Sequence, residues 1–403
     1  MSTFSKLSTQ LGNKMLPINE HQVSTHPLSK QNGFPYPTYV NITPNTAPAW
    51  GAQAIFDVKE NGLQIEHTLQ IVVSAVTGAV APKLVPACFF LRKCEWVSGN
   101  GNVIKNALAD ETFVCQQIFG TDSERNEFGC AVGQYETPAL RVAAAASQAT
   151  YFVKLRCPFE QSGSFSILNP SHQVSLRVEF QPLENICSYT SQTALNATIV
   201  SCNLKTQLIR LPEPALLKMQ HELDSAGVLV HRMTETLNQS FTCAAGTSSF
   251  QAVLSGLVGK CGLFWFVVRA APIVDEGFFT YVPIANYSLT DSSGTSVVGV
   301  SSISHKENCL LINKNTTEGN YLTRAYGISD IDYNANVYMY PFDNDVYAFQ
   351  KHAQMTNSRK FTGSDILTIN FNATLVNPVI IDVYIMCDAA ILQTKSGLQR
   401  HMA

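Results

Sequence analysis

The chain has 403 residues with a formal net charge of -3; charged residues make up only 14% of it, while hydrophobic residues hold 45%. Its length exceeds one ordinary sandwich and suits two domains of about 150 to 200 residues each. No run of Lys or Arg supplies the clustered positive charge that holding phosphates requires, so direct sequence-specific nucleic-acid binding is not expected. Ser, Thr, Asn and Gln stand where charge would ordinarily be, and such a surface repels itself little and desolvates cheaply, which suits a protein buried against further copies of itself; a secreted sandwich with neutral loops is the alternative.

Residues 1 to 48 carry Pro17, Pro27, Pro35, Pro37, Pro44 and Pro48 and no sustained periodicity, which predicts an extended N-terminal arm. Lys6, Lys14 and Lys30 against Glu20 make it mildly basic. It reads either as a disordered tail or as a segment that orders over a neighbouring subunit. Residues 1 to 15 lack an apolar core of signal-peptide length, so secretion by that route is not expected.

From Trp50 the pattern is that of strands. Phe56 and Val58 alternate with polar residues up to Asn61-Gly62, a pair that favours a tight hairpin turn. Leu63, Ile65, Leu69, Ile71 and Val73 then share one face, with His67 at the same parity read as a hydrogen-bonded core histidine. Phe90, Cys94 and Trp96 line the next strand, which ends at the hairpin tip 98–102. A short helix is expected over Leu108 to Phe119, with Asp110 and Glu111 in its first turn. A loop and the small-residue run Ala143 to Ala146 fill 121 to 148, followed by strands at Tyr151 to Cys157, Val174 to Phe180 and Asn196 to Leu211. About eight strands with long connections is the content of one jelly roll.

Pro214, then Leu216, Met219 and Leu223 at helical spacing, then Gly227, predict a linker helix over 213–227. The second block repeats the grammar of the first. Leu257 to Val268 contains the continuously apolar strand Gly262 to Val268, expected to be buried on both faces, 285 to 300 is a Ser/Thr/Gly-rich loop, and Asn313-Lys314-Asn315 makes a hairpin tip after Cys309 to Ile312. Tyr338 to Phe342 leads to Thr356 to Asp365, then to two alternating strands and a closing Gly397, read as the last strands of a sandwich entered through a polar loop that ends at the Asn357-Ser358-Arg359 turn. The predicted fold class is all-β: two tandem eight-stranded jelly-roll β-sandwiches joined by a short helix-containing linker. Their limits are an arm over 1–48, a first jelly roll over 49–212, the linker helix over 213–227, a second jelly roll over 228–395 and a tail over 396–403.

Chemistry-bearing patterns are sparse. Eleven cysteines, an odd number without a Cys-x-x-Cys, fit buried free thiols in a reducing compartment better than a disulfide framework or a zinc site. There is no His-Glu-x-x-His, Gly-x-Ser-x-Gly or His-x-His. The run Gly256 to Cys261 has the spacing of a phosphate loop only superficially, with Cys261 where Ser or Thr would stand. Asp330 to Asn336 alternates oxygen-bearing side chains as a calcium loop would, yet Ala335 replaces the needed Gly and Pro341 the final Glu. Asp343 and Asp345 have no neighbour that would mark one as acid and the other as base. No catalytic, cofactor-binding or metal-ligating residue is expected. The apolar stretches Thr68 to Pro82 and Ile366 to Ile381 are too short and too polar to span a membrane. The sequons at Asn41, Asn196, Asn238, Asn286, Asn315 and Asn372 are expected to stay unmodified.

Three segments carry a resemblance: Ser201-Cys202-Asn203-Leu204 through Leu211-Pro212-Glu213 into the helix, Phe264 to Arg269, and Tyr338 to Gly397. In order and spacing they resemble the domain junction, an early second-domain strand and the C-terminal end of double jelly-roll major capsid proteins of tailless icosahedral DNA viruses. The resemblance implies homotrimeric capsomers of pseudo-hexagonal outline that tile a shell in the virion, assembled inside the host cell. It further implies minor capsid and penton proteins and an internal membrane as partners. The short outer loops set this chain apart from larger relatives with towers. The alternative function is a carbohydrate- or receptor-binding sandwich, spike-like or lectin-like, which would need exposed aromatic platforms; Trp96 and Trp265 lie instead within apolar strands.

Overall fold

The computed structural model describes residues 37–402 apart from 120–121, 134–137, 160, 162–164, 271–280, 309–310, 312–335, 347–348 and 350–352. Sixteen principal strands form four sheets, four strands from each half in each of its two sheets. In the first half these are, in chain order, Pro37–Ile42, Gln53–Val58, Leu63–Val73, Leu91–Ser98, Val103–Ala107, Ala149–Leu155, Val174–Phe180 and Ile199–Ile209. The first, eighth, third and sixth pair into one sheet, the second, seventh, fourth and fifth into the other. In the second half the strands are Val228–Cys243, Ser249–Val253, Val258–Ala270, Ile284–Thr290, Ile303–Ser304, Val337–Pro341, Ile366–Phe371 and Val379–Thr394. They pair in the same two orders. This wiring is the eight-stranded jelly roll, and it occurs twice.

Alternation explains why each strand lies where it does. In Leu63–Val73, His67, Leu69, Ile71 and Val73 are buried while Glu66, Thr68 and Gln70 are half-exposed, so one face meets the opposite sheet and the other faces outward. Phe56, Val58, Trp96, Leu176, Val178 and Phe180 supply the other side of the first core. The second core is built likewise from Phe264, Phe266, Leu367, Ile369, Ile381, Val383 and Ile385. Cys261 to Val268 is buried at every position, as the apolar run predicts, because its second face is also covered. That cover is a third cluster in which Leu263, Trp265, Val267, Tyr384 and Met386 pack against Val114 and Cys115 of the helix Ala109–Phe119, an element of the first half.

Between the halves runs the helix Glu213–Ala226, with Pro at its start and Gly227 closing it in the left-handed conformation at φ 74°. It buries Ala215, Met219 and Leu223, and Met219 joins Leu63 and Ile209 in a small cluster at the base of the first sandwich. Among the described residues no helix is long and apolar enough to cross a membrane.

Several expectations are corrected by pairing that a local reading cannot see. The arm expected over 1–48 contains the first strand of the first sandwich, since Pro37–Ile42 pairs antiparallel with Ile199–Ile209. The tail expected over 396–403 contains Gly397–Met402, which pairs with Val379–Thr394 and buries Leu398 in the first core. Asn61-Gly62 is not a hairpin: Gln53–Val58 and Leu63–Val73 belong to different sheets, and the turn carries the chain across the sandwich. Most of the loop expected over 121 to 148 is the two helices Asp122–Val132 and Pro138–Ala145. Strand Ile284–Thr290 occupies the start of the loop expected over 285 to 300. The hairpin tip at 313–315, the sequon at Asn315, and residues 1–36 of the arm lie outside the described residues.

Candidate functional site

Among the described residues, those that sequence patterns single out for chemistry are dispersed and structural. Gly256 N donates to Gln239 Oε1 at 3.0 Å in an ordinary turn, and Cys261 is fully buried, where burial, with Cys387 adjacent, pushes its thiol well up. Asp343 organises the polar loop: its carboxylate accepts from Asp345 N at 2.8 Å, Thr356 N and Oγ1 at 2.7 Å and Asn357 N at 3.2 Å. It is therefore a loop anchor. Asp330 to Ala335 lie outside the described residues, and Asn336 donates from Nδ2 to Tyr281 O at 2.8 Å. Ten described cysteines are free, and all but Cys130 are buried. Among the described residues no group of three His, Cys, Asp or Glu side chains could hold a metal ion. Tyr39, 74% exposed, is the only aromatic among the large exposed apolar residues described, so no aromatic platform forms there. His67 is in the core, 4.7 Å from Trp96 and edge-on to it, but neither ring nitrogen has a hydrogen-bond partner; the expected bond is absent. Burial holds its pKa down at about 3.

What the structure does bring together is a charged seam between the two sandwiches. Four carboxylates, Asp110, Glu111, Glu235 and Asp382, meet four cations, Lys105, Arg156, Arg269 and Arg400. Lys105 and the helix Ala109–Phe119 project from the first half; the strands Val228–Cys243 and Val379–Thr394 receive them. Lys105 Nζ donates to Thr234 O and lies 3.8 Å from Glu235 Oε2, while Arg400 Nη1 sits 2.6 Å from Glu235 Oε1. Asp110 accepts from Tyr281 OH at 2.8 Å and Tyr384 OH at 2.9 Å, and Arg269 bridges it to Asp382. Thr236 Oγ1 donates to Glu111 Oε1 at 2.7 Å, which also faces Arg156 Nε at 3.4 Å. Burial raises the pKa of Glu235, and Lys105 and Arg400 pull it back. Burial works against the Arg269 charge, but Asp110 and Asp382 more than offset it and push its pKa up.

Equal numbers of opposite charges, buried together, resist sliding or separation because any lost partner leaves an uncompensated charge away from water. The seam can therefore fix the mutual orientation of the two sandwiches; it presents no open, convergent acid and base to a substrate. A signal for it exists in the sequence. Asp382 pierces the apolar run Val379 to Ile385, and Arg269 closes the run from Leu263, and a lone charge in a buried strand requires an opposite one.

No protein-family model and no curated protein matches the sequence. Solved structures do match in shape. A structure of the PBCV-1 virus capsid is similar with a TM-score of 0.65 at 12% identity, over 94% of this chain and 99% of that one. The Faustovirus major capsid protein gives a TM-score of 0.60 at 10% identity, over 96% of this chain and 98% of that one. A Sputnik virophage structure gives 0.58 at 10% identity, over 96% and 93%. With the repeated wiring above, these likenesses place the chain by fold: it is a double jelly roll, the architecture of viral major capsid proteins.

Proposed function

We propose that this chain is the structural coat subunit of an icosahedral virus shell, acting by self-assembly and not by turnover. The carrying observation is that two identically wired jelly rolls superpose on a PBCV-1 capsid chain along nearly the whole length of both. Their faces support assembly in a specific way. In the second half, the outer face of the first-eighth-third-sixth sheet is buried by the helix Ala109–Phe119. The same face of the first half, with Glu66, Thr68, Gln70, Phe152, Lys154 and Asn203, is only half-buried. Joining two copies of one fold head to tail leaves one such face unmatched per chain, and a further copy supplies the match. Three chains then contribute six sandwiches to a closed, heterologous ring, a homotrimer of pseudo-hexagonal outline.

Such trimers tile the shell of the virion, with penton and minor capsid proteins and an internal membrane as further partners and no direct contact to the genome's sequence. The division of the chain at the linker helix belongs to this proposal: each side is one wall of the capsomer. Light scattering on the purified chain tests it. Three 44.2 kDa chains give about 130 kDa, and images of the particles should show hexagonal capsomers. Placing Glu at both Gln70 and Asn203 should shift the trimer to monomer without unfolding it. A stable monomer with affinity for sugars would sink the coat reading in favour of a carbohydrate-binding sandwich.

A further inference from the structure

One bridge across the seam has a polarity that hydrogen-bond chemistry fixes. Ser166 and His172 belong to the first half; His231, Gln393 and Thr394 belong to the second. His172 Nε2 lies 2.7 Å from Thr394 O, and a carbonyl only accepts, so this nitrogen carries the proton. Gln393 Nε2 lies 2.9 Å from Ser166 O, which fixes the amide nitrogen at that end. The other end, Gln393 Oε1, then accepts from His231 Nε2 at 2.8 Å. The second N–H of the Gln393 amide is left facing His172 Nδ1 at 2.9 Å, which must offer a lone pair. His172 is thus a neutral Nε2–H imidazole by geometry alone, and the 3.4 Å approach of Asn169 Nδ2 to the same nitrogen is a contact and not a bond. All of His172, His231 and Gln393 are buried.

We propose that this bridge is an acid-sensitive latch between the two sandwiches: a second proton on His172, at Nδ1, sets N–H against N–H and releases Gln393 from the first half. Burial, opposed by the Thr394 carbonyl, holds His172 below the ordinary histidine value, and burial holds His231 at about 4, with Gln393 raising it and His172 lowering it. The sign follows. The opened form takes up protons first as pH falls below the ordinary histidine value of about 6.5, so the closed form weakens from there down through the lowered pKa values. Charged groups on the packed elements have partners or exposure of their own: Lys395 pairs with Asp224 at 2.9 Å, Arg400 with Glu235, and Arg232 and His401 are exposed. Asp388, half-buried, has its pKa raised by burial and lowered by Arg232 and Lys260. The latch concerns the joint within one chain and does not rest on the coat proposal.

Hydrogen exchange on the full chain tests it. Amides of 166–173, 229–233 and 391–400 should lose protection about tenfold more between pH ~7 and pH ~4.5 than those of the second core strand Ile366–Phe371. His172→Gln, which keeps a donor and an acceptor but does not titrate, should remove most of that difference. Equal protection changes in seam and core, or an unchanged seam response in His172→Gln, would overturn the latch. If that variant fails to fold, imidazole nitrogen NMR of the native chain decides: a neutral Nε2–H His172 persisting below pH ~6 supports the latch, and ordinary titration near 6.5 refutes it.

Discussion

Gly62 lacks a side chain because there is no room for one. Its φ is +139°, and a Cβ there would lie 2.8 Å from Ile209 O and 2.9 Å from the Leu208 side chain. Gly62→Ala should therefore cost about 2 kcal/mol in chemical denaturation, through both strain and collision; a loss below a few tenths would show that the turn relaxes freely. The Asn-Gly pair is visible in the sequence, but its role is not: local chemistry marks a turn, and only the eighth strand passing beside it makes the glycine a requirement. Lys105, 1% exposed, is the second case. Lys105→Met should destabilise by about 3 kcal/mol by removing one of the two cations that face the buried Glu235 carboxylate. Adding Glu235→Gln should recover part of that loss, and strictly additive effects would show the two do not interact.

Among the elements, the strand Val258–Ala270 is the most legible and the most consequential. Its apolar run Gly262 to Val268 announces burial on both faces, and the structure gives each face a separate partner: Phe264 and Phe266 enter the second core, Leu263, Trp265 and Val267 the interdomain cluster. Trp265 stacks on Tyr384 at 3.8 Å. Trp265→Ala should cost about 4 kcal/mol and loosen the joint between halves, whereas Phe264→Ala should cost as much but leave the joint intact; limited proteolysis at the linker separates the two outcomes. The linker helix was equally legible, because Pro at its start and Gly227 after its end are local signals. Pro37–Ile42 and Gly397–Met402 were not: each is a strand only by virtue of a partner more than a hundred residues away or across a tight turn, and its own sequence carries little apolar alternation.

For the whole molecule, acid is the informative perturbation. His67 is buried in the first core without a hydrogen bond and must stay neutral there, its pKa held at about 3. Because the unfolded chain takes up that proton below about 6.5, the native state should lose about 3 kcal/mol from this residue alone on going from pH 7 to pH 4. Burial of Glu235 and Asp388, whose pKa values are raised, acts with the opposite sign and softens the loss. His67→Phe should therefore flatten the dependence of stability on pH in that window, as read by denaturant midpoints; an unchanged slope would mean His67 is not the buried neutral group. This effect is separate from the interdomain latch, because it acts on one core and leaves the seam closed.

Composition, alternation and the helix signals were enough to establish an all-β chain in two similar halves, because burial of one strand face and the local cost of Pro and Gly are written residue by residue. Which strands pair, and that the first and last segments belong to sheets, depended on partners far along the chain. The pairing within the charged seam was decided only by the packing of the two sandwiches: Asp382 and Arg269 stand out in apolar runs, but Asp110 and Glu235 are ordinary polar letters until the fold removes all four from water and makes each one's charge the condition for burying the others.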